Sequence, residues 1–203
     1  MILGITGGTG CGKTTLLKEI QAMGGLVLDC DAIYHRLLQE DPRLLQAIED
    51  AFPGVVEEGC LNRKKLGSRV FSDPDALLRL NAITHQAVKA EVLRLLAGRP
   101  SLAAIDAIAL FEGELAELCD VTVAVTAPLE DRVQRLMKRD SIPEDYARSR
   151  IAAQHSQQWF EDRCDRTLKN DGSPRDFQSK CLAFLRSPDI MKEKRKGDNS
   201  DEY

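Results

Sequence analysis

The stretch that most limits what this chain can become is Gly7-Gly8-Thr9-Gly10-Cys11-Gly12-Lys13-Thr14. It has the spacing of a phosphate-binding loop, Gly-x4-Gly-Lys-[Ser/Thr]. Ile2-Leu3-Gly4-Ile5 before it reads as a buried strand, and Thr14 to Met23 after it reads as a helix. Glycines let backbone N–H groups turn inward around a phosphate chain, and the helix start adds free N–H groups and the positive end of a dipole. Lys13 is placed to reach the β- and γ-phosphates, and the Thr14 hydroxyl to sit on Mg²⁺. A strand closed by such a loop demands a parallel sheet with its strand ends open on one edge, so the chain is expected to bind a nucleoside triphosphate.

The rest of the sequence supplies the alternation that such a sheet needs. Leu26-Val-Leu28, Leu102-Ala-Ala-Ile105, Val121-Thr-Val-Ala-Val125 and Arg166 to Lys169 read as further strands. Helices are expected from Ala32 to about Gln39, from Asp41-Pro42 to about Phe52, and from Ser72-Asp73-Pro74 to about Ala97. Others follow over Leu129–Arg139, from a capping box at Ser141-Ile-Pro-Glu144 to about Asp162, and from Pro174 to about Leu185. Strands alternating with helices predict a three-layer α/β/α parallel sheet. Residues 55–98 are too long for a simple crossover and predict a helical insert covering a substrate. From Ser187 the chain turns highly charged and reads as a disordered tail, its run Lys192-Glu-Lys-Arg-Lys196 as a solvated terminus.

Composition narrows the class. With 203 residues, 43% hydrophobic and 30% charged, the chain suits one α/β domain with small inserted parts. A net charge of −4 argues against broad nucleic-acid binding, and no apolar run approaches a membrane span. The six cysteines show no CxxC spacing, and nothing at the N-terminus reads as a signal peptide. The expectation is a cytoplasmic chain with free thiols, working as a monomer or weak homo-oligomer without nucleic acid or membrane.

Phosphoryl transfer needs an oriented acceptor, cations on the moving group and exclusion of water. Asp31 follows a buried strand on the edge that carries the loop. It can take a hydroxyl proton or hold Mg²⁺ through water, or it can simply cap the helix at Ala32; Asp29 is the paired or structural member. Asp106, after Leu-Ala-Ala-Ile, has the pattern of a Mg²⁺ carboxylate, and Glu112 ends the same segment. Arg132, Arg135 and Arg139 share a helix face suited to phosphate oxygens; for Arg132 the better reading is a solvated face paired with Glu130, Asp131 or Asp140. Arg139, where a mobile lid would hinge, suits a cis arginine finger, and Arg150 and Gln154 belong to the lid or to the surface. His35 and His85 have no partner at metal-ligand spacing.

The order and spacing of several further runs resemble the dephospho-CoA kinase family over about residues 1–186. They are Gly4–Thr15, Leu28-Asp-Cys-Asp-Ala-Ile-Tyr-His35, Leu61-Asn-Arg-Lys-Lys-Leu-Gly67, Val70-Phe-Ser-Asp-Pro74 and Ile83-Thr-His85. To these are added Asp106-Ala-Ile-Ala-Leu-Phe-Glu112, Arg135-Leu-Met-Lys-Arg-Asp140, Arg150-Ile-Ala-Ala-Gln154 and Asn170-Asp-Gly172. The resemblance implies transfer of the ATP γ-phosphate to the ribose 3′-hydroxyl of dephospho-CoA, with Mg²⁺. It implies a kinase core over 1–59, 99–137 and 164–186, a helical CoA-binding insert over 60–98, and a lid over 138–163. It makes Asp31, Lys13 and Arg139 catalytic. Gly10, Cys11, Gly12, Lys13, Thr14, Thr15 and Asn170 become ATP contacts, Asn170 lying near the adenine. His35, Lys64, His85, Asp106, Glu112 and Arg135 become acceptor contacts, and Thr14 and Asp106 Mg²⁺ contacts. Gln86 stands where the family has proline after His85, and Ile108-Ala109 replace a Pro-Leu pair. Two rivals stay in play: a P-loop kinase for another nucleoside, nucleotide or sugar, and a nucleotide-switched interaction module. The second lacks any Asn-Lys-x-Asp guanine motif.

Overall fold

The computed structural model describes residues 1–71, 73–188 and 190. In chain order the elements are β1 (Ile2–Thr6), α1 (Lys13–Ala22), β2 (Leu26–Asp29), α2 (Cys30–Glu40), α3 (Pro42–Ala51), β3 (Val56–Glu57), β4 (Cys60–Leu61), α4 (Arg63–Val70) and α5 (Pro74–Leu96). Then come β5 (Ala103–Asp106), a 3-10 turn (Ala116–Leu118), β6 (Val121–Thr126), α6 (Leu129–Asp140), α7 (Glu144–Ala152), α8 (Gln157–Arg163), β7 (Arg166–Lys169) and α9 (Pro174–Leu185). The chain divides into two compact units. The first is Met1–Leu28, Arg99–Leu110 and Leu115 onward; the second is Asp29–Gly98 with Phe111–Glu114. The expected insert, 60–98, falls inside the second unit, which begins earlier, at Asp29.

The first unit is a parallel sheet with flanking helices. Its strand order is β2-β5-β1-β6-β7, and β1 is paired in parallel with both β5 and β6. β1 is paired on both edges and covered on both faces, which is why it reads as an unbroken apolar run rather than an alternating one. Leu3, Ile5, Val121, Val123 and Val125 share a core with Leu16, Leu17 and Ile20 of α1 and with Phe177, Cys181 and Leu185 of α9. The opposite side of β1 is crowded: Gly4 leaves room for the Cys119 and Leu110 side chains, which a Cβ there would strike. Helix starts follow their signals. Pro174 opens α9 behind a capping box in which Ser173 and Asp176 satisfy each other's backbone N–H groups.

Three expectations change. Ser141 does not start a helix; it ends α6 in the left-handed region (φ 53°), whereas an N-cap residue needs an extended backbone. α7 instead begins after Pro143 without a side-chain cap. The single helix expected up to Asp162 is two, because Ser156 caps α8 by accepting from the Trp159 N–H. The tail expected from Ser187 is not wholly loose, since Ile190 is buried in the core beside α9. The rest of that expectation, 191–203 with Lys192–Lys196, lies outside the described residues.

The second unit packs α2, α3 and α4 against α5. Residues 55–71, mixed in sequence, form the two-stranded β3–β4 hairpin and α4. Asp73 caps α5 by accepting from the N–H groups of Asp75 and Ala76, and Pro74 takes the first helical position. Glu91, a largely covered side chain on α5, receives Arg94 and Arg36; these hold its carboxyl down at about 2, with the Arg94 hydrogen bonds the larger cause. All six cysteines are free. Cys11, Cys30 and Cys181 are buried, Cys119 and Cys164 are partly covered, and Cys60, on the hairpin, is exposed.

Candidate active site

The phosphate loop leaves β1 and enters α1 at Gly12, which has φ 101°. No other residue suits that conformation, and a side chain there would also overlap the Asn170 amide. The loop's carbonyls are held from outside. Arg135 Nη1 donates to the Gly10 and Cys11 carbonyls at 3.2 and 3.4 Å, and Asn170 Nδ2 donates to the Cys11 carbonyl at 2.9 Å. In a trans peptide the C=O and the following N–H point opposite ways. Pinning the Cys11 carbonyl outward therefore turns the Gly12 N–H to the other side. The loop becomes a cradle of donors for an anion, in front of the N-terminus of α1.

Lys13 curls back over this loop, its Nζ 3.0 Å from the Gly7 carbonyl and 3.9 Å from Asp106 Oδ1 at the end of β5. Thr14 lies exposed in the first turn of α1, and the Thr15 N–H bonds the Gly12 carbonyl. Cys11 is buried, and burial pushes its thiol up. Sequence reasoning put Arg132 on a solvated face; the structure buries it, with Nε 2.9 Å from the Thr9 carbonyl, and burial lowers its pKa. The helical period showed that it shares a side with Arg135 but not what that side meets. Asn170 is buried beneath the loop, its own N–H bonded to the Thr126 carbonyl at 2.7 Å. Arg139 forms a two-pronged pair with Asp140 at 2.7 and 2.9 Å, and Arg150 joins the same carboxylate at 2.6 Å. Together they hold that carboxyl near 2. Two guanidiniums on one carboxylate give this trio a net positive charge.

The remaining candidates belong to the second unit. Asp29, not Asp31, caps α2: its Oδ1 accepts from the Ala32 N–H at 3.0 Å. Asp31 stands exposed in the first helical turn, relieved of that duty. His35, one turn on, lies 3.4 Å from Arg63 Nη2 through Nδ1. Lys64 is exposed on α4, His85 is half-buried on α5, and Glu112 is exposed in the turn 111–114.

A sequence model of the dephospho-CoA kinase family matches residues 1–176. The chain belongs to the dephospho-CoA kinase family. Named members are similar throughout most of their length: the dephospho-CoA kinase of Deinococcus radiodurans is 40% identical over 160 residues, 77% of each chain. That of Anaeromyxobacter dehalogenans is 40% identical over 159 residues, 75% of each. Among solved structures, a Thermus thermophilus protein shares 31% identity at a TM-score of 0.78, covering 91% of this chain and 95% of its own. A dephospho-CoA kinase from Campylobacter jejuni (24% identical, TM-score 0.63) covers 97% of this chain and 98% of its own. A shikimate kinase from Bacteroides thetaiotaomicron (14%, 0.53; 95% and 98% covered) shares the fold. Membership makes the chain a kinase with a nucleotide-binding P-loop, and the cradle around Gly12 is the part that such chemistry needs first.

Magnesium can be tested against the donors present. Among the described residues no three His, Cys, Asp or Glu side chains cluster to hold a metal by themselves. What the first unit offers is the Thr14 hydroxyl and the Asp106 carboxylate, both hard oxygen donors. That pair fits an ion that keeps most of its shell from water and nucleotide phosphates, as Mg²⁺ does.

Proposed function

We propose that this chain completes coenzyme A by moving the γ-phosphate of ATP to the ribose 3′-hydroxyl of dephospho-CoA, releasing ADP. The inward N–H groups of Gly10 and Gly12, with the start of α1, bind the donor phosphates, and Lys13 stays with the β- and γ-phosphates through transfer. Mg²⁺, carried on the nucleotide and held by Thr14 and Asp106, would neutralise charge on the transferred group. Asp31 takes the proton from the acceptor hydroxyl as its oxygen attacks in line. Arg139 exchanges Asp140 for the γ-phosphate oxygens as the lid, 138–163, closes and excludes water. His35, Lys64, His85 and Glu112 are assigned to the acceptor side, Arg135 to the loop carbonyls that it already holds, and Asn170 to the neighbourhood of the adenine. The insert 60–98 covers dephospho-CoA.

The division of labour between two aspartates carries this reading. Asp29 satisfies the start of α2, so the helix has no need of Asp31 as its cap. A panel assay tests the whole: MgATP offered with dephospho-CoA, nucleosides, nucleotides and sugars, following ADP. Stimulation by dephospho-CoA alone supports the reading. Turnover of a different acceptor, with none of dephospho-CoA, would sink it.

A further inference from the structure

Thr9 stands near the outer bend of the phosphate loop and is itself buried. Both of its backbone polar groups are held by side chains from elsewhere in the first unit. Its N–H donates to Gln154 Oε1 at 2.8 Å, and its carbonyl accepts from Arg132 Nε at 2.9 Å. These are two successive peptides, and each contact fixes one. The Gly8 carbonyl turns inward to the Cys11 N–H at 3.3 Å, so the Thr9 N–H of the same planar group must face out, where Gln154 receives it. The Thr9 carbonyl is drawn out by Arg132, so the Gly10 N–H must face in.

The fit is tight on the arginine side. A Cβ on Gly8 would overlap the Arg132 guanidinium, and Arg132 is 93% buried, its relative exposure being 7%. Its Nη2 has no hydrogen-bond partner among the described residues, and the bond to the Thr9 carbonyl is made by Nε. Gln154 lies just past α7, its own N–H bonded to the Ile151 carbonyl at 3.2 Å, so its reach is set by that helix end. Behind the two side chains lies a cavity of about 450 Å³ that both help to line, with Leu129, Ile151 and Ala152.

We propose that Gln154 and Arg132 are positioning residues for the nucleotide: together they clamp the two peptides of Thr9, and thereby set the Gly10 N–H toward the phosphate chain. The clamp rests on the donor-site reading above, but needs no particular acceptor. It also makes the end of α7 and the phosphate loop one hydrogen-bonded piece, so the lid helices and the donor site share a fixed point. Arg135 and Asn170 do the same for the next two peptides, so the loop's outward carbonyls from Thr9 to Cys11 are all taken.

The test measures binding of MgATP by calorimetry without acceptor, for wild type, Gln154→Met, Arg132→Met, Arg132→Lys and the double methionine variant. The cavity gives methionine room, so neither change overpacks. Gln154→Met is expected to weaken ATP about tenfold, the scale of one hydrogen bond, and to speed exchange of the Thr9 amide. Arg132→Met weakens it at least as much, and Arg132→Lys, still a donor, recovers part. The double variant falls well short of the product of the singles, because both act on one turn of chain. A purely structural role would lower the melting temperature and leave ATP affinity in place. Gln154→Met within twofold of wild type for ATP, with Thr9 exchange unchanged, overturns the clamp even if the Arg132 variants fail to fold. A wild type that binds no nucleotide overturns the clamp and the donor reading together, whereas normal wild-type binding with unchanged variants overturns the clamp alone.

Discussion

The two units prepare for their substrates differently. In the first, nearly every polar group around the phosphate loop is already committed: Lys13 to Gly7 and Asp106, Arg135 and Asn170 to loop carbonyls, Arg132 and Gln154 to Thr9. In the second, Asp31 and His35 stand exposed on α2 and Lys64 on α4. A rigid anion cradle stabilises charge without reorganising at the moment of transfer. A flexible acceptor with a long arm is better met by side chains that still have freedom to adjust. The difference implies that changes on the donor side act through backbone geometry, whereas changes on the acceptor side act through single side chains.

Substitutions that remove a charge or a base should break this contrast most sharply. Lys13→Met is expected to lower kcat by about 10³-fold, the scale of losing a preorganised cation from a phosphoryl group. Asp31→Asn is expected to lower kcat by at least ~10²-fold while ATP affinity stays normal. Steady-state kinetics with calorimetric ATP binding separates the two; near-normal turnover by Asp31→Asn would take the base role from that residue. Next comes Asn170→Ala. It frees the Cys11 carbonyl beneath the loop, with an expected cost of about 1–3 kcal/mol in stability and a raised KM for ATP at unchanged KM for dephospho-CoA. Thermal melts together with both KM values check it, and an equal rise in the two constants would argue against a donor-side effect.

The smallest effect concerns Glu91. Its folded value near 2 lies below the ordinary 4.5, so the carboxylate stabilises the second unit above about pH 4.5. That contribution fades as the pH falls from 4.5 towards 2, because the unfolded chain takes up the proton first. Glu91→Gln should therefore melt a few degrees lower than wild type at pH 7, with the gap narrowing below pH 4.5 and closing towards pH 2. A gap that persists at low pH would assign the loss to packing instead of charge. Both arginine partners are well exposed, which keeps the expected shift modest.

Much of the first unit could be read in advance, because its signals are local. The loop spacing, the apolar runs of β1, β5 and β6, and Pro174 after Ser173 each state their structure within a few residues. The order β2-β5-β1-β6-β7 could not be read that way, since nothing local says which buried strand lies beside which. The break between α7 and α8 escaped because no glycine or proline punctuates it, and only Ser156 marks the new start. Arg132 escaped for a related reason: periodicity assigns a residue to a face, and burial depends on what that face meets. Asp29 and Asp31 were ambiguous because two carboxylates two residues apart both suit a helix start. The backbone N–H of Ala32 settles the capping question by donating to Asp29.

The exposed thiol on the hairpin gives the second unit a handle of its own. Burial pushes the thiols of Cys119, Cys164 and Cys181 up to about 12, 11 and 11, and that of Cys11 up as well. Cys30 is shut away by packing. At neutral pH a maleimide dye should therefore go first to Cys60, without any cysteine having to be removed. Fluorescence anisotropy from that one position would then report on the segment expected to cover dephospho-CoA, while the phosphate loop, with its own cysteine sealed inside, stays chemically untouched.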